Sequence, residues 1–250
     1  NAQSRSVEEA FVKAGIPYTL IGGVAFYQRK EIKDILAYLR LLSNLDDEEA
    51  FKRIVNYPAR GIGDTTLGKI TMAAQNNGVS CWDILSQPTR FQLDVNKGTW
   101  TKLLNFRDLV NGFVAQLDKL DAYELGMKII KESGIQADLY GASDADSLSR
   151  QENLQEFVGG LKEFVEIRRE EGNEDEVFLS NYLQEVSLLS DLDSEGDDES
   201  RVVLMTVHSA KGLEFPTVFV VGLEENIFPS PRSTDSPRQL EEERRLLYVA

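Results

Sequence analysis

A chain of 250 residues, 42% hydrophobic and 28% charged, is long enough to bury a sizeable core in one or two domains, and it shows neither a membrane-length apolar run nor a signal-peptide layout. Its one cysteine, Cys81, excludes an internal disulfide and reads as a core residue, and its one histidine, His208, leaves no Cys/His metal cluster to build. A net charge of −15 argues against wholesale attraction to nucleic acid, yet residues 1–70 hold 10 Lys/Arg against 9 Asp/Glu while residues 71–250 hold 17 against 33, so phosphate contacts are expected in the first stretch.

In chain order, Ser6 and Glu9 form a capping box for a helix to Lys13, closed by Gly15, and Tyr18–Ile21 reads as a short strand ending at Gly22-Gly23. From Lys30 the pattern is helical for about 160 residues, with apolar stripes at helical spacing. The first is Ile32, Ile35, Leu36, Leu39 and Leu42; the second is Leu103, Phe106, Val110, Phe113 and Leu117. Leu154, Phe157, Val158, Leu161, Phe164 and Val165 make a third, and Phe178, Leu179, Tyr182, Val186 and Leu189 a fourth. Stripes of this kind bury a helix face, so a helical domain is expected. Residues 190–200 are acidic and Ser-rich and read as a linker or loop. Val202–Val207 and Thr217–Val221 are apolar β-branched runs, read as buried parallel strands that share one sheet with the strand near residue 18. The helical domain is then an insertion within an α/β unit. A helix-like run occupies 238–250, and both ends of the chain are expected to be cuts.

Two segments carry chemistry. Thr206, His208, Ser209 and Lys211, at the end of a strand, offer hydroxyl, imidazole and ammonium donors to phosphate oxygens, and Glu214 offers an acceptor to a ribose hydroxyl. By spacing alone that segment is an ordinary turn. In Arg60-Gly61-Ile62-Gly63-Asp64-Thr65-Thr66, two glycines precede an Asp or Thr N-cap and expose backbone N–H groups at a helix start. Lys52, Arg53, Arg60 and Lys69 stand nearby as candidate phosphate partners.

The run Thr206–Phe215, Thr-Val-His-Ser-Ala-Lys-Gly-Leu-Glu-Phe, resembles motif V of UvrD/PcrA-type superfamily 1 helicases, and Glu241–Ala250 resembles the start of their motif VI. The similarity also takes in Asn1–Arg5, Ile21–Ile35, Tyr57–Gly63 and Arg150–Leu154, in family order. The resemblance implies an α/β fold with a large all-helical insertion. Residues 1–25 and 200–250 would be parts of the second RecA-like P-loop NTPase motor domain (2A), and 26–199 the helical accessory domain (2B).

It further implies an ATP-dependent DNA helicase that moves 3′ to 5′ along single-stranded DNA in repair or replication. Asn1, Thr206 and His208 would touch the single strand, with Arg5 in the same N-terminal motif as Asn1. Lys211 and Glu214 would serve the nucleotide, and Arg60, Gly61, Ile62, Gly63 and Thr65 would grip duplex backbone. Arg29, Lys30 and Lys33, after Gly22-Gly23, would form a hinge, with 190–200 as the return junction. The intact protein would use ATP and Mg2+. This stretch has no Gly-x-x-x-x-Gly-Lys-Ser/Thr loop and no family arginine finger, so it is expected to bind no cofactor and hydrolyse no ATP by itself. DNA is the expected partner, repair or transcription proteins are further candidates, and the cytoplasm is the expected location. Two other readings remain: an acidic helical interaction or autoregulatory module, and part of a RecB/AddA-type helicase-nuclease subunit.

Overall fold

Helix α1 (Ser4–Lys13) ends where Gly15 turns left-handed at φ +64°. Gly15 N–H donates to the Val12 carbonyl at 3.0 Å and Ile16 N–H to the Phe11 carbonyl at 2.8 Å, a Schellman closure that satisfies two carbonyls the helix leaves open. The helix starts two residues before the expected Ser6 cap. The computed structural model describes residues 4–21, 24–192, 201–210, 212–224, 228–229 and 236–249, with the side chains of 88, 89, 188–192, 208 and 249 left out. Contacts divide the chain into two units, one of Asn1, Ser6–Ala25 and Gly196–Ala250, the other of Ala2–Arg5 and Phe26–Glu195.

In the first unit, strand β1 (Tyr18–Ile21) follows α1. The second unit is helical. Its elements are α2 (Lys30–Ser43), α3 (Glu48–Ile54), α4 (Asp64–Asn77), α5 (Cys81–Ser86), α6 (Pro88–Phe91), α7 (Lys97–Val114), α8 (Ala122–Glu132), α9 (Ile135–Leu139), α10 (Ala145–Glu170) and α11 (Leu179–Leu192). Side chains fix several starts: Asp47, Asn96 and Asp144 accept from backbone N–H groups of α3, α7 and α10. Ser80 with Asp83, and Asp121 with Glu124, close capping boxes on α5 and α8. Helix α11 reaches Leu192, so the start of the expected acidic linker is helical; 193–200 lie outside the described residues.

The stripes read from the sequence form the core of this unit. Ile32, Ile35 and Leu39 of α2, Leu103, Phe106, Val110 and Phe113 of α7, and Phe157 and Leu161 of α10 are fully buried. Leu36, Leu117, Val158 and Phe178 lie at its margin, half-buried, and Cys81 is buried as expected. Phe106 sits at a crossing point, its ring 6.1 Å from Phe51 and 6.4 Å from Trp82 in edge-on arrangements. Helix α8 comes close to α10 at Gly126, where a Cβ would stand 2.6 Å from Leu161 Cδ1.

The first unit resumes with β2 (Val202–Met205), a short helix α12 (Val207–Ala210) and α13 (Pro237–Val249). Strand β1 pairs with β2 in parallel, Tyr18 opposite Val202 and Ile21 opposite Met205. The expected third strand at Thr217–Val221 is not formed. A β-branched run becomes a strand only beside a partner for its N–H and C=O groups, and among the described residues the sheet has two strands. Val218, Phe219 and Val221 are instead 54%, 87% and 73% exposed. The second strand also stops at Met205, short of Val207, because Thr206 caps α12.

Truncating Phe106 to alanine removes the ring that α3, α5 and α7 share, and is expected to destabilise the helical unit by about 3–5 kcal/mol in urea unfolding followed by circular dichroism.

Candidate nucleic-acid interface

The Gly-Ile-Gly loop is built around one amide and one guanidinium. After α3, Asn56 Oδ1 accepts both from Arg60 N–H and from Ile62 N–H, each at 2.9 Å, which draws the chain into a tight turn. Arg60 lies beneath that turn. Its Nη1 donates to the carbonyls of Ile54 (3.1 Å), Tyr57 (2.7 Å) and Pro58 (3.2 Å), and its Nη2 to Tyr38 Oη (2.6 Å) and the Ser133 carbonyl (3.1 Å). The guanidinium also stacks 5.3 Å from the Phe106 ring centroid and 5.9 Å from that of Tyr38. Tyr38 in turn donates its hydroxyl to the Tyr57 carbonyl at 2.5 Å.

Above this base, Gly61 takes a left-handed φ of +69°, Ile62 plugs into the core at 2% exposure, and Gly63 is the N-cap of α4. An Asp or Thr cap was expected; glycine there means that no side chain caps the helix. Thr66 and Leu67 N–H groups return to the Gly63 carbonyl. Among the described residues no acceptor meets the N–H groups of Gly61, Gly63, Asp64 and Thr65. Four outward donors and the positive end of a 14-residue helix therefore coincide on an exposed surface. The Asp64 carboxylate at the first helical position opposes that field.

The cations that the sequence placed here have other occupations. Lys52 pairs with Glu48 at 2.7 Å, Arg53 with Asp34 at 2.7 Å, and Lys69 with Asp94 at 3.0 Å. Burial nevertheless holds the Asp34 carboxyl above its ordinary range, against the pull of Arg53. Arg60 faces inward as described, so its head group is not presented to a phosphate. Arg5 is buried too, at 6% exposure, donating to Glu156 at 2.9 Å and Glu163 at 2.8 Å, with Gly160 leaving room for its guanidinium. The head groups of both arginines, expected on DNA, are thus engaged by carbonyls or carboxylates of the chain itself.

The cation that does reach the loop is Lys102 of α7, whose Nζ donates to the Gly61 carbonyl at 3.2 Å. It is exposed and makes no ion pair among the described residues. Sequence reading missed it because the contact spans 41 positions and nothing in its helical pattern points to the loop.

In the sheet unit, Thr206 directly follows β2, and its Oγ1 accepts from Ser209 N–H at 3.1 Å and meets Ser209 Oγ at 2.9 Å, capping α12. Glu214 is exposed, and Gly212 is left-handed at φ +84°. His208 has its backbone in α12 with its side chain undescribed; Asn1, Lys211 and the Gly22-Gly23 pair lie outside the described residues. Arg29, expected near a hinge, donates to Asn153 Oδ1 at 2.6 Å and Ser4 Oγ at 2.8 Å, and Asn153 donates on to Glu31 at 2.6 Å.

A sequence profile described as the UvrD-like helicase C-terminal domain matches residues 1–250. The chain belongs to this family. Within it, the chain is 40% identical over its whole length to proteins named ATP-dependent DNA helicase PcrA from Staphylococcus aureus (strain Mu50) and Staphylococcus epidermidis (strain RP62A). It spans about a third of those relatives' length, 34% in each case. As a UvrD-like C-terminal domain it is mostly helical with a small parallel sheet. No helix of the described residues is long and apolar enough to cross a membrane.

The packing of Tyr38 beneath the loop has a measurable consequence. Burial pushes its phenol up to about 12 in the folded chain, from an ordinary value of 10.0, although Arg60 pulls the other way. The folded state then holds a proton that the unfolded state releases, so stability is full below pH 10 and falls by up to about 1.4 kcal/mol per pH unit towards 12. Denaturant titrations across this range are expected to show that loss on top of one from Tyr57, whose phenol is also pushed up by burial, so Tyr38→Phe is expected to lessen the slope without abolishing it.

Proposed function

We propose that this chain is part of an ATP-dependent 3′–5′ DNA helicase, and that its helical unit serves as an accessory domain gripping duplex backbone at Gly61–Thr65 without reading sequence. The observation that carries this reading is the row of unengaged N–H groups at Gly61, Gly63, Asp64 and Thr65, opening on solvent at the start of α4 beside Lys102. Neutral amides and one ammonium suit phosphate oxygens, and the loop presents no side-chain amide or guanidinium fork to a base edge, so binding is expected to be indifferent to sequence. Ile62 contributes by anchoring the loop in the core.

The sheet unit is read as part of a RecA-like motor domain. There Thr206 and His208 would face the single strand and Glu214 would accept from the nucleotide's ribose, with Lys211 and Asn1 in the same roles as their motifs suggest. An exposed Glu214 fits a ribose contact. The Walker-type glycine loop that cradles phosphates and places a hydroxyl on Mg2+ is not among these 250 residues, so no hydrolytic step is assigned to them. The names of the bacterial relatives support action on DNA; the cytoplasm as its place and repair or transcription proteins as further partners belong to the same proposal.

Fluorescence anisotropy with a labelled duplex bearing a 3′ single-stranded tail tests the grip. Binding is expected to weaken linearly in log–log plots against salt, and Lys102→Ala is expected to lower that slope by about 1 with little change between DNA sequences. Absence of binding even at low salt would instead favour an acidic protein-interaction module, the reading to which the charge of −15 lends weight.

A further inference from the structure

We infer that Arg60, from beneath, and Asn56, through its side-chain oxygen, set the shape of the duplex-gripping loop, so that Arg60 is a positioning residue and not a phosphate contact. This deepens the proposed grip at Gly61–Thr65 and rests on that reading. Three separate segments converge on the one guanidinium: Tyr38 in α2, the Ile54–Pro58 turn after α3, and Ser133 at the C-terminal cap of α8. Lying against two aromatic rings, the guanidinium is also fixed in plane. Arginine suits this role because its planar fork presents several donors in one rigid arrangement, whereas a lysine ammonium is a compact point charge with three donors.

Immediately beyond it, the backbone N–H of Arg60 and that of Ile62 share Asn56 Oδ1, with Gly61 held between them in its left-handed conformation. The unengaged amides begin at Gly61. The direction in which they point is therefore set one residue earlier, by bonds made within the protein. Lys102 completes the arrangement from the other side by holding the Gly61 carbonyl.

A direct contact and a positioning role predict different variants. If the charge of Arg60 met phosphate, Arg60→Lys would retain binding and Asn56→Ala would not matter. For the positioning role, Arg60→Lys and Asn56→Ala are each expected to weaken duplex binding by about tenfold with an unchanged salt slope, since no cation–phosphate pair is lost. The same variants are expected to speed hydrogen exchange at the Arg60 and Ile62 amides. Asn56 is exposed and its side chain bonds only the backbone N–H groups of Arg60 and Ile62, so Asn56→Ala removes no buried side chain and keeps the test sound if Arg60→Lys folds poorly.

The experiment measures anisotropy and amide exchange on the 250-residue chain, with the tailed duplex as probe. Wild-type affinity and exchange in both variants would overturn the inference. No duplex binding by the wild-type chain, with faster loop exchange in the variants, would remove the duplex reading while supporting Arg60 and Asn56 as the scaffold of the loop.

Discussion

A guanidinium placed among backbone carbonyls organises one end of the helical unit. The Arg60 head group draws together the carbonyls of Ile54, Tyr57, Pro58 and Ser133 and the hydroxyl of Tyr38, adding a donor to partly buried acceptors of which Ile54 and Tyr57 also take one from Tyr57 N–H and the Tyr38 hydroxyl. Carbonyl oxygens carry partial charge only, so the cation is satisfied by many weak acceptors in place of one carboxylate. The aromatic faces of Tyr38 and Phe106 supply the rest. Such a site tolerates little rearrangement, because moving any one segment leaves several polar groups unpaired at once. The rigidity passes to Ile62 and Gly63, and so to the first turn of α4.

The electrostatics of the chain look different once partners are assigned. A sequence count puts positive charge near the loop, but most of that charge is neutralised by Glu48, Asp34 and Asp94, or turned inward as in Arg60. Pairs such as Lys52 with Glu48 lie on the surface and contribute little to stability, yet they determine which cations stay available. Lys102 stays available because its neighbour is a carbonyl. An acidic protein can thus meet a polyanion through a few oriented dipoles and one ammonium, while its net charge limits indiscriminate adhesion.

Much of the fold could be read from apolar spacing. The stripes on α2, α7, α10 and α11 became core residues, and the Gly15 stop and the Tyr18–Ile21 strand lie where turn chemistry and β-propensity put them. The Gly-Ile-Gly segment was legible as a helix start because left-handed glycine and unengaged amides are local properties. Side-chain partners were not legible. Arg5 with Glu156 and Glu163, Arg60 with Ser133, and Lys102 with Gly61 are contacts over 151, 158, 73 and 41 positions, and no local pattern distinguishes an arginine that faces a phosphate from one that faces a carbonyl. The Thr217–Val221 run failed for a related reason: propensity describes the strand, while the partner that would complete it is non-local.

The pairing of Tyr18 with Val202 joins residues 184 positions apart, and this orders the events of biosynthesis. At about 5–20 residues per second a ribosome releases β1 on the order of ten to forty seconds before β2, so this pairing waits while the whole helical unit is being made. The helices, whose contacts are nearer in sequence, collapse in far less time than that. Their collapse shortens the loop that the late strand must close and lowers the entropy cost of the parallel pair. A slowly translated or misfolded helical unit would therefore delay the pairing of β1 with β2, and this pair depends for its timing on helices that contribute no strand to it.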